Sequence, residues 1–146
     1  MRRLPLIALA AASVASCGQP REIFVDHGYV RLSAVSGNPA VAYFTLHGGG
    51  EATMLLSVTS PTTIKTELHE SMAKGGMSSM APIKDVALPP KADIAFQPGG
   101  KHVMLFNVNP GVKPGDTMPL IFTFANNLRI QYDAPVIAAG DPAPKG

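Results

Sequence analysis

Hydrophobic and polar positions along the chain predict a succession of short β-strands. In residues 92–96 apolar and polar side chains alternate, as they do in a strand with one buried face. Residues 40–46 are almost wholly apolar, which is typical of a strand in a core. The other predicted strands are residues 23–32, 51–60, 65–72, 77–83, 101–108, 118–124 and 127–132, and residues 83–88 lead into Pro89-Pro90. Beyond the first residues there is no convincing helical period, so the pattern predicts an all-β domain.

Glycine and proline divide these strands. The chain has 146 residues and contains fourteen of each, and their clusters interrupt the apolar runs about every eight to twelve residues. Regular interruption of this kind is typical of a sandwich of antiparallel sheets, and the length suits one domain. We therefore predict an antiparallel β-sandwich.

A hairpin with two glycines lies in the middle of the chain. Residues 73–76 are predicted to form a four-residue loop, because glycine adopts the dihedral angles of tight turns. If Met72 faces Met77, antiparallel counting places His69 opposite Met80 on the other face of the ribbon. Opposed side chains lie about 4.5–5.5 Å apart at Cβ. The sequence therefore predicts that His69 and Met80 reach one metal ion.

A second histidine and methionine lie close together on a later strand. His102 and Met104 are two residues apart in the apolar run 101–108, and residues i and i+2 of a strand share a face. Two imidazoles and two thioethers form a neutral donor set that suits Cu(I) far better than Mg²⁺ or Ca²⁺. We therefore predict a Cu(I) site formed by His69, Met80, His102 and Met104.

Each of these residues also has an ordinary explanation. A single Met usually fills a gap in the core, and a single His usually makes hydrogen bonds. The four residues together favour the metal site. Met72 and Met77, beside the turn, are expected to pack, with a secondary copper contact as the alternative. His27 and His47 are expected to lie at the surface.

The spacing of the four predicted ligands resembles a known motif. Ten residues separate His69 from Met80, twenty-one separate Met80 from His102, and one separates His102 from Met104. This pattern is similar to the motif of the PCuAC periplasmic copper chaperones. Further resemblance lies in Glu67-Leu68-His69-Glu70, Met80-Ala81-Pro82-Ile83 and Gln97-Pro98-Gly99-Gly100-Lys101. The resemblance runs from about residue 25 to residue 136.

The resemblance implies a cupredoxin-like Greek-key β-sandwich and a role in copper delivery. The family is associated with delivery to the binuclear copper site of cytochrome c oxidase. The implied partners are therefore an oxidase subunit or a thioredoxin-like copper protein. This chain departs from the family where His47 stands in place of the Asn that is common in relatives. It also lacks the His- and Met-rich tail of some relatives.

The N-terminal residues predict export and a lipid anchor. Met1-Arg2-Arg3 is a charged start, and the apolar stretch after it is too short to span a bilayer as a permanent helix. Val14-Ala15-Ser16-Cys17 resembles a bacterial lipobox, in which the cysteine is lipidated and begins the mature chain. The alternative is an ordinary signal-peptidase site with an incidental Cys17. We expect lipidation of Cys17 and a location at the periplasmic face of a bacterial membrane.

These features divide the chain into four segments. Residues 1–16 are predicted to be a lipoprotein signal peptide, and residues 17–22 a lipidated N-terminus with a short linker. Residues 23–136 form the predicted copper-binding domain. The small, proline-rich residues 137–146 are predicted to be disordered.

Charge and cysteine content narrow the possible functions. The whole chain carries twelve Lys and Arg against ten Asp and Glu, but Arg2 and Arg3 belong to the predicted signal, so the mature chain is formally neutral. It has no basic run, and hence no electrostatic footprint for nucleic acid. Cys17 is the single cysteine, so no intramolecular disulfide supports the predicted domain.

Three other functions compete with copper delivery. A blue-copper electron carrier has the same fold but needs a thiolate ligand, and Cys17 lies before the domain. A hydrolase or oxidase is disfavoured because the sequence has no Gly-x-Ser-x-Gly elbow and no His-Glu-x-x-His motif, so we expect no enzyme activity. A lipoprotein that stores excess copper is the strongest alternative, because storage and delivery use the same ligands. Glu67 and Glu70, beside His69, are expected to form a solvated face.

Overall fold

The computed structural model describes residues 18–146, and the predicted signal peptide and Cys17 lie outside these residues. The described residues form ten β-strands and no α-helix, so the prediction of an all-β fold is confirmed. The strands are β1 (Phe24–Arg31), β2 (Ala40–His47), β3 (Thr53–Thr59), β4 (Thr63–Lys74), β5 (Met77–Pro82), β6 (Val86–Leu88), β7 (Asp93–Phe96), β8 (Lys101–Val108), β9 (Thr117–Phe124) and β10 (Arg129–Ile137). Across residues 18–146 the structure contains no helix that is long and apolar enough to cross a membrane.

Hydrogen bonds join the strands into one mixed sheet. Its order is β5-β4-β8-β7-β2-β1-β10-β9-β3-β6, and β8 also pairs with β2. Most neighbours are antiparallel, as predicted, but β1 runs parallel to β10 and β7 runs parallel to β8. Because β1 and β10 are the first and last strands, their parallel pairing joins the two ends of the domain in the middle of the sheet.

The sheet folds over so that its two halves pack face to face. Phe44 on β2 and Phe122 on β9 are three strands apart in the sheet order, yet their rings meet edge to face with centroids 4.7 Å apart. Phe96 on β7 stacks on Phe44 with a centroid distance of 4.3 Å. The core around these rings includes the fully buried Leu46, Leu55, Leu88, Leu105, Met118 and Leu120. The aromatic cluster therefore holds the two layers together.

Buried and outward residues alternate on the strands that line this core. The buried side chains of β2 are Ala40, Ala42, Phe44 and Leu46, and the side chains between them are partly exposed. The same alternation buries Met118, Leu120, Phe122 and Phe124 on β9. A slip of one residue would carry each apolar set to the outer face, so the core also determines which side chains point outward.

The β4–β5 hairpin has a shorter turn than predicted. Lys74 pairs with Met77, so the loop is Gly75 and Gly76 alone, and the prediction of a loop over residues 73–76 is wrong. Both glycines have positive φ, 60° and 79°, as the central residues of a type I′ turn do. Glycine adopts these angles without strain. The pair is therefore sufficient to reverse the chain.

The shorter turn changes the pairing of the predicted metal ligands. His69 pairs with Pro82 and Met80 with Ser71, so the predicted direct opposition of His69 and Met80 is wrong by two residues. Because side chains alternate with a period of two, a shift of two residues keeps both on one face. His69 and Met80 are thus diagonal neighbours, a relation that separates residues by about 7–8 Å.

The C-terminal tail begins against β1. The backbone N–H of Ala138 donates to a carboxylate oxygen of Asp141 over 2.9 Å. Arg31 donates from Nη2 to the carbonyl oxygen of Asp141 over 3.2 Å. Residue 137 is the last residue of β10, and the disorder of residues 137–146 stays a prediction.

Removing the Phe122 ring is expected to destabilise the domain strongly. Phe122→Ala leaves a cavity beside Phe44 in the fully buried core, and such truncations cost about 3–5 kcal/mol. Urea unfolding of residues 18–146 gives the free energy directly. Ile64→Ala is the control, because Ile64 is 83% exposed and its truncation is expected to change the free energy by less than about 0.5 kcal/mol. Equal losses in both variants would contradict this placement of the core.

Candidate metal centre

Strands β4 and β8 bring two predicted ligands from distant parts of the chain together. His69 on β4 pairs directly with His102 on β8, and the adjoining pair, Leu68 and Val103, is buried in the core. The two histidines therefore lie on the outer face of the sheet. Their ring centroids are 5.8 Å apart. The sequence predicted one His and one Met in each half of the site, and the β4–β8 pairing joins the halves through the imidazoles.

The two methionines flank these histidines on the same face. Met104 lies two residues after His102 on β8 and is partly buried. Met80 lies on the edge strand β5, opposite Ser71, and is 58% exposed. His102, in contrast, is only 4% exposed. Of these predicted ligands, His102 is therefore the deepest and Met80 the most open.

A backbone carbonyl fixes the orientation of His102. Its Nδ1 lies 3.0 Å from the carbonyl oxygen of Gly100. A carbonyl only accepts hydrogen bonds, so Nδ1 carries the proton and donates it. In the neutral ring Nε2 then keeps its lone pair, and Nε2 is buried without a hydrogen-bond partner. This nitrogen is available to a metal ion.

A carboxylate fixes the orientation of His69. Its Nε2 lies 2.8 Å from Oε2 of Glu67, and Nζ of Lys65 lies 2.6 Å from Oε1 of the same carboxylate. Hydrogen bonds from Lys65 and from His69 hold the pKa of Glu67 below its ordinary value. The ionised carboxylate accepts the Nε2 proton of His69, which leaves the lone pair on Nδ1. That Nδ1 is also buried without a hydrogen-bond partner.

The two unpartnered nitrogens distinguish this pair from histidines that only support the fold. In residues 18–146 four buried side-chain nitrogen or oxygen atoms lack a hydrogen-bond partner, and two of them belong to His69 and His102. Leaving such an atom unpaired costs about 1–3 kcal/mol, and native proteins usually satisfy it with protein groups, water or an ion. Two neutral imidazoles beside two thioethers fit a soft monovalent ion such as Cu(I).

The described part of the chain offers no second metal site built from carboxylates, thiolates or imidazoles. Within residues 18–146 no cluster of three or more His, Cys, Asp or Glu side chains is placed to hold a metal ion. A cleft of about 600 Å³ lies at the far end of β8, but its lining contains neither His nor Met. The candidate centre is therefore the outer sheet face around His69 and His102, which is exposed to solvent at Met80.

Met72 and Met77 lie on the other face of the hairpin. The register of β4 and β5 directs both side chains away from the face that carries His69. They are 53% and 77% exposed, so the prediction that they pack is wrong. The hairpin extends past the last residue of β4 that pairs with β8, Glu70. Among residues 18–146, β5 is the only strand that pairs with β4 beyond Glu70.

His47 is held between two carboxylates. Its Nε2 lies 2.8 Å from Oδ1 of Asp26, and its Nδ1 lies 2.7 Å from Oδ1 of Asp93. The ring of Phe24 stacks on it with centroids 4.2 Å apart, and 15% of the His47 side chain is exposed. The predicted surface position is therefore wrong for His47. His27, whose side chain is 62% exposed beside Asp26, agrees with the prediction.

These contacts favour the charged form of His47. Burial lowers the pKa of His47, but hydrogen bonds with Asp26 and Asp93 outweigh it and raise the pKa above its ordinary value. Burial likewise raises the pKa of Asp26, and hydrogen bonds with His27 and His47 outweigh that and lower it. Because both ring nitrogens of His47 face carboxylates, neither offers a lone pair to a metal ion. The cluster joins β1, β2 and β7 as an ion-paired contact.

Comparison with known proteins identifies the family. The family model described as "Putative lipoprotein LpqE-like" matches residues 23–136. The chain belongs to the LpqE-like family. The protein named "Putative lipoprotein Lxx21020", from Leifsonia xyli subsp. xyli (strain CTCB07), is 23% identical over 131 residues, which cover 89% of this chain and 78% of that protein. This LpqE-like chain therefore has relatives that are named as lipoproteins.

Solved structures show that the LpqE-like chain has the fold of PCuAC domains. The copper-bound PCuAC domain from PmoF2 matches with a TM-score of 0.66 at 20% identity, over 80% of this chain and 92% of that domain. The apo PCuAC domain from PmoF1 gives 0.65 at 23% identity, over 80% and 93%. The solution structure of CuI-DR1885 from Deinococcus radiodurans gives 0.60 at 22% identity, over 86% and 83%. The cupredoxin-like fold that the resemblance implied is confirmed, and the ligand roles of the four residues stay predictions.

Met104→Leu is expected to separate metal binding from folding. Leucine keeps the side-chain volume, so the free energy of unfolding is expected to change by less than about 1.5 kcal/mol. The thioether donor is lost, so Cu(I) affinity is expected to fall by more than about tenfold, the lower end of the losses seen for second-shell changes. Competition with a chromophoric Cu(I) chelator measures the affinity. Met54→Leu, on β3 in the other half of the sheet, is the control, and an unchanged affinity for Met104→Leu would remove Met104 from the site.

His47 is expected to make stability fall as the pH rises above neutrality. Because its pKa is raised in the folded state, its contribution is complete below the ordinary His pKa of about 6.5 and is lost as the pH rises through the raised value. Urea unfolding at a series of pH values across this window measures the slope. We expect a steeper fall in the wild type than in His47→Asn. His27→Asn is the matched control, because His27 contacts the same Asp26 carboxylate. Identical slopes in the wild type and His47→Asn would contradict the raised pKa of His47.

Proposed function

We propose that this LpqE-like protein binds one Cu(I) ion at His69, Met80, His102 and Met104 and carries it outside the cytoplasm. The observation that supports this most strongly is the pair of buried, unpartnered nitrogens, Nδ1 of His69 and Nε2 of His102, on one face of the sheet. Two thioethers lie on that face as well. The shared fold with the copper-bound PmoF2 domain and with CuI-DR1885 supports copper as the metal.

The graded exposure of the ligands suits a carrier. Met80 is 58% exposed on the edge strand, whereas His102 is 4% exposed. A partner's ligand can therefore replace Met80 first, while the histidines still hold the ion. Thioethers are neutral and need no deprotonation, and the imidazoles bind only as neutral rings. The ion leaves unchanged, so the proposed role requires no catalytic residue.

The proposed recipient is the binuclear copper site of cytochrome c oxidase. Support comes from the spacing of the four ligands, which resembles that of the PCuAC chaperones. The ion passes to an oxidase subunit directly or through a thioredoxin-like copper protein. Lipidation of Cys17 holds the carrier at the periplasmic face of the membrane, and the lipoprotein names of the family and of its Leifsonia relative support that anchor.

Copper storage is the second candidate function, and the burial of His102 favours it. An ion held by a residue that is 4% exposed exchanges slowly unless a partner opens the site. Storage and delivery use the same ligands, so affinity alone does not separate them. Deletion of the gene separates them: delivery predicts loss of oxidase activity that copper supplementation restores. Storage predicts lower copper tolerance with normal oxidase activity.

Anaerobic Cu(I) titration of residues 18–146 tests the binding site itself. This segment contains all ten strands and the whole described core. We expect one tightly bound Cu(I) per chain, and at least about a 100-fold loss of affinity in His69→Ala and in Met80→Leu, beyond the 10–100-fold typical of second-shell changes. A competing chromophoric chelator reports the free ion.

Met77→Leu is the matched control for Met80→Leu. Both residues lie on β5 and both are exposed, at 77% and 58%, but they lie on opposite faces of the hairpin. We expect Met77→Leu to bind Cu(I) like the wild type. Identical affinities in the wild type, His69→Ala and Met80→Leu would refute the proposed site.

A further inference from the structure

Three side chains form a row along the outer face of β4. Lys65, Glu67 and His69 occupy alternate positions and so share that face. Oε1 of Glu67 lies 2.6 Å from Nζ of Lys65, and Oε2 lies 2.8 Å from Nε2 of His69. Each carboxylate oxygen therefore has its own donor, and the row ends at a predicted copper ligand.

Lys65 and Glu67 both pair with residues of β8. Nζ of Lys65 lies 5.4 Å from the centroid of the Phe106 ring on β8, within the range of a cation–π contact. Phe106 is the β8 residue that pairs with Lys65. Glu67 is itself paired with Met104, another predicted ligand. Contacts to β8 therefore restrict the position of the carboxylate relative to the site.

The carboxylate determines which nitrogen of His69 remains free. With the Nε2 proton donated to Glu67, only Nδ1 keeps a lone pair, and this Nδ1 is buried without a partner. At His102 the assignment is reversed, since Nδ1 donates to the Gly100 carbonyl and Nε2 is unpartnered. The two imidazoles thus present different nitrogens.

We propose that Glu67 is the positioning residue of the copper site and commits His69 to bind through Nδ1, while His102 binds through Nε2. The proposal rests on the proposed copper-binding function. Ligating histidines commonly donate their other N–H to a carboxylate or a carbonyl, which orients the ring and raises its basicity. Glu67 and the Gly100 carbonyl supply these two kinds of acceptor.

Charge gives Glu67 a second effect on the same site. Two imidazoles and two thioethers are neutral, so a bound Cu(I) keeps its full positive charge. The Glu67 carboxylate, which His69 shares with Lys65, lies one hydrogen bond from His69 and places a negative charge next to that ion without entering the ligand set. Glu70 differs, because it lies on the other face of β4 and accepts a hydrogen bond from Lys101 over 3.1 Å. Glu70 is therefore a matched control.

The tautomers are measured directly in the apo protein. Long-range ¹H–¹⁵N correlation spectra of residues 18–146 identify the protonated nitrogen of each neutral imidazole. We expect protonated Nε2 at His69 and protonated Nδ1 at His102. On addition of Cu(I) we expect the largest ¹⁵N shift at Nδ1 of His69 and at Nε2 of His102. A copper-induced shift at Nε2 of His69 in place of Nδ1 would overturn the proposal.

Substitutions at Glu67 test its part in this arrangement. Glu67→Gln keeps an acceptor oxygen, so His69 is expected to keep its tautomer. Glu67→Ala removes the acceptor, so the Nε2 resonance of His69 is expected to move and Cu(I) affinity to fall about 10–100-fold. Glu70→Ala is expected to change neither. A Glu67→Ala protein with an unmoved Nε2 resonance would overturn the proposal, whether or not its affinity falls.

The apo spectra separate this proposal from the proposed function. If the wild type binds no Cu(I), the copper function fails, yet the apo tautomers and the Nε2 shift in Glu67→Ala still show whether Glu67 orients His69. If the wild type binds Cu(I) and His69 uses Nε2, the function stands and the role of Glu67 fails.

Discussion

The register between β4 and β8 is the constraint on which the candidate site depends. It pairs His69 with His102 on the outer face because it pairs Leu68 with Val103 in the core. A slip of β4 by one residue against β8 would turn His69 inward and Leu68 outward, while His102 kept its place. Burial of apolar surface, at about 25 cal/mol per Å², thus keeps the imidazoles together. The hydrophobic core therefore places the two histidines side by side.

In each of the two imidazoles, one ring nitrogen has a hydrogen-bond partner and the other has none. A carboxylate accepts from His69, a carbonyl accepts from His102, and the opposite nitrogen of each ring is left buried and unpartnered. Such unpartnered atoms reduce stability by about 1–3 kcal/mol each. A fold without a ligand for them would gain by replacing the histidines with apolar residues. The two histidines are nevertheless paired side by side on β4 and β8, which is an argument for binding rather than for packing.

Local pattern was sufficient to predict the strands and the face of each ligand, but it did not predict long-range pairing. Alternation with a period of two placed His69 and Met80 on one face even though the register was wrong by two residues, because a shift of two preserves the face. The pairing of β4 with β8 joins segments that are far apart in the chain, and no local signal encodes it. The charge pattern predicts a solvated face for Glu67, whereas its i, i+2 spacing from His69 already places the two side chains on one face.

His47, His69 and His102 show why residue type alone does not assign a metal site. His47 has a carboxylate at each nitrogen, so it is favoured as a cation and has no lone pair to offer. His69 has a carboxylate at one nitrogen, and His102 a carbonyl at one nitrogen. The neutral ring then has one donor and one free lone pair. A hydrogen-bond acceptor at the second ring nitrogen is therefore enough to turn a possible metal ligand into a histidine that only forms ion pairs. The strand register determines how many acceptors each imidazole has, because it determines which carboxylates lie next to each ring.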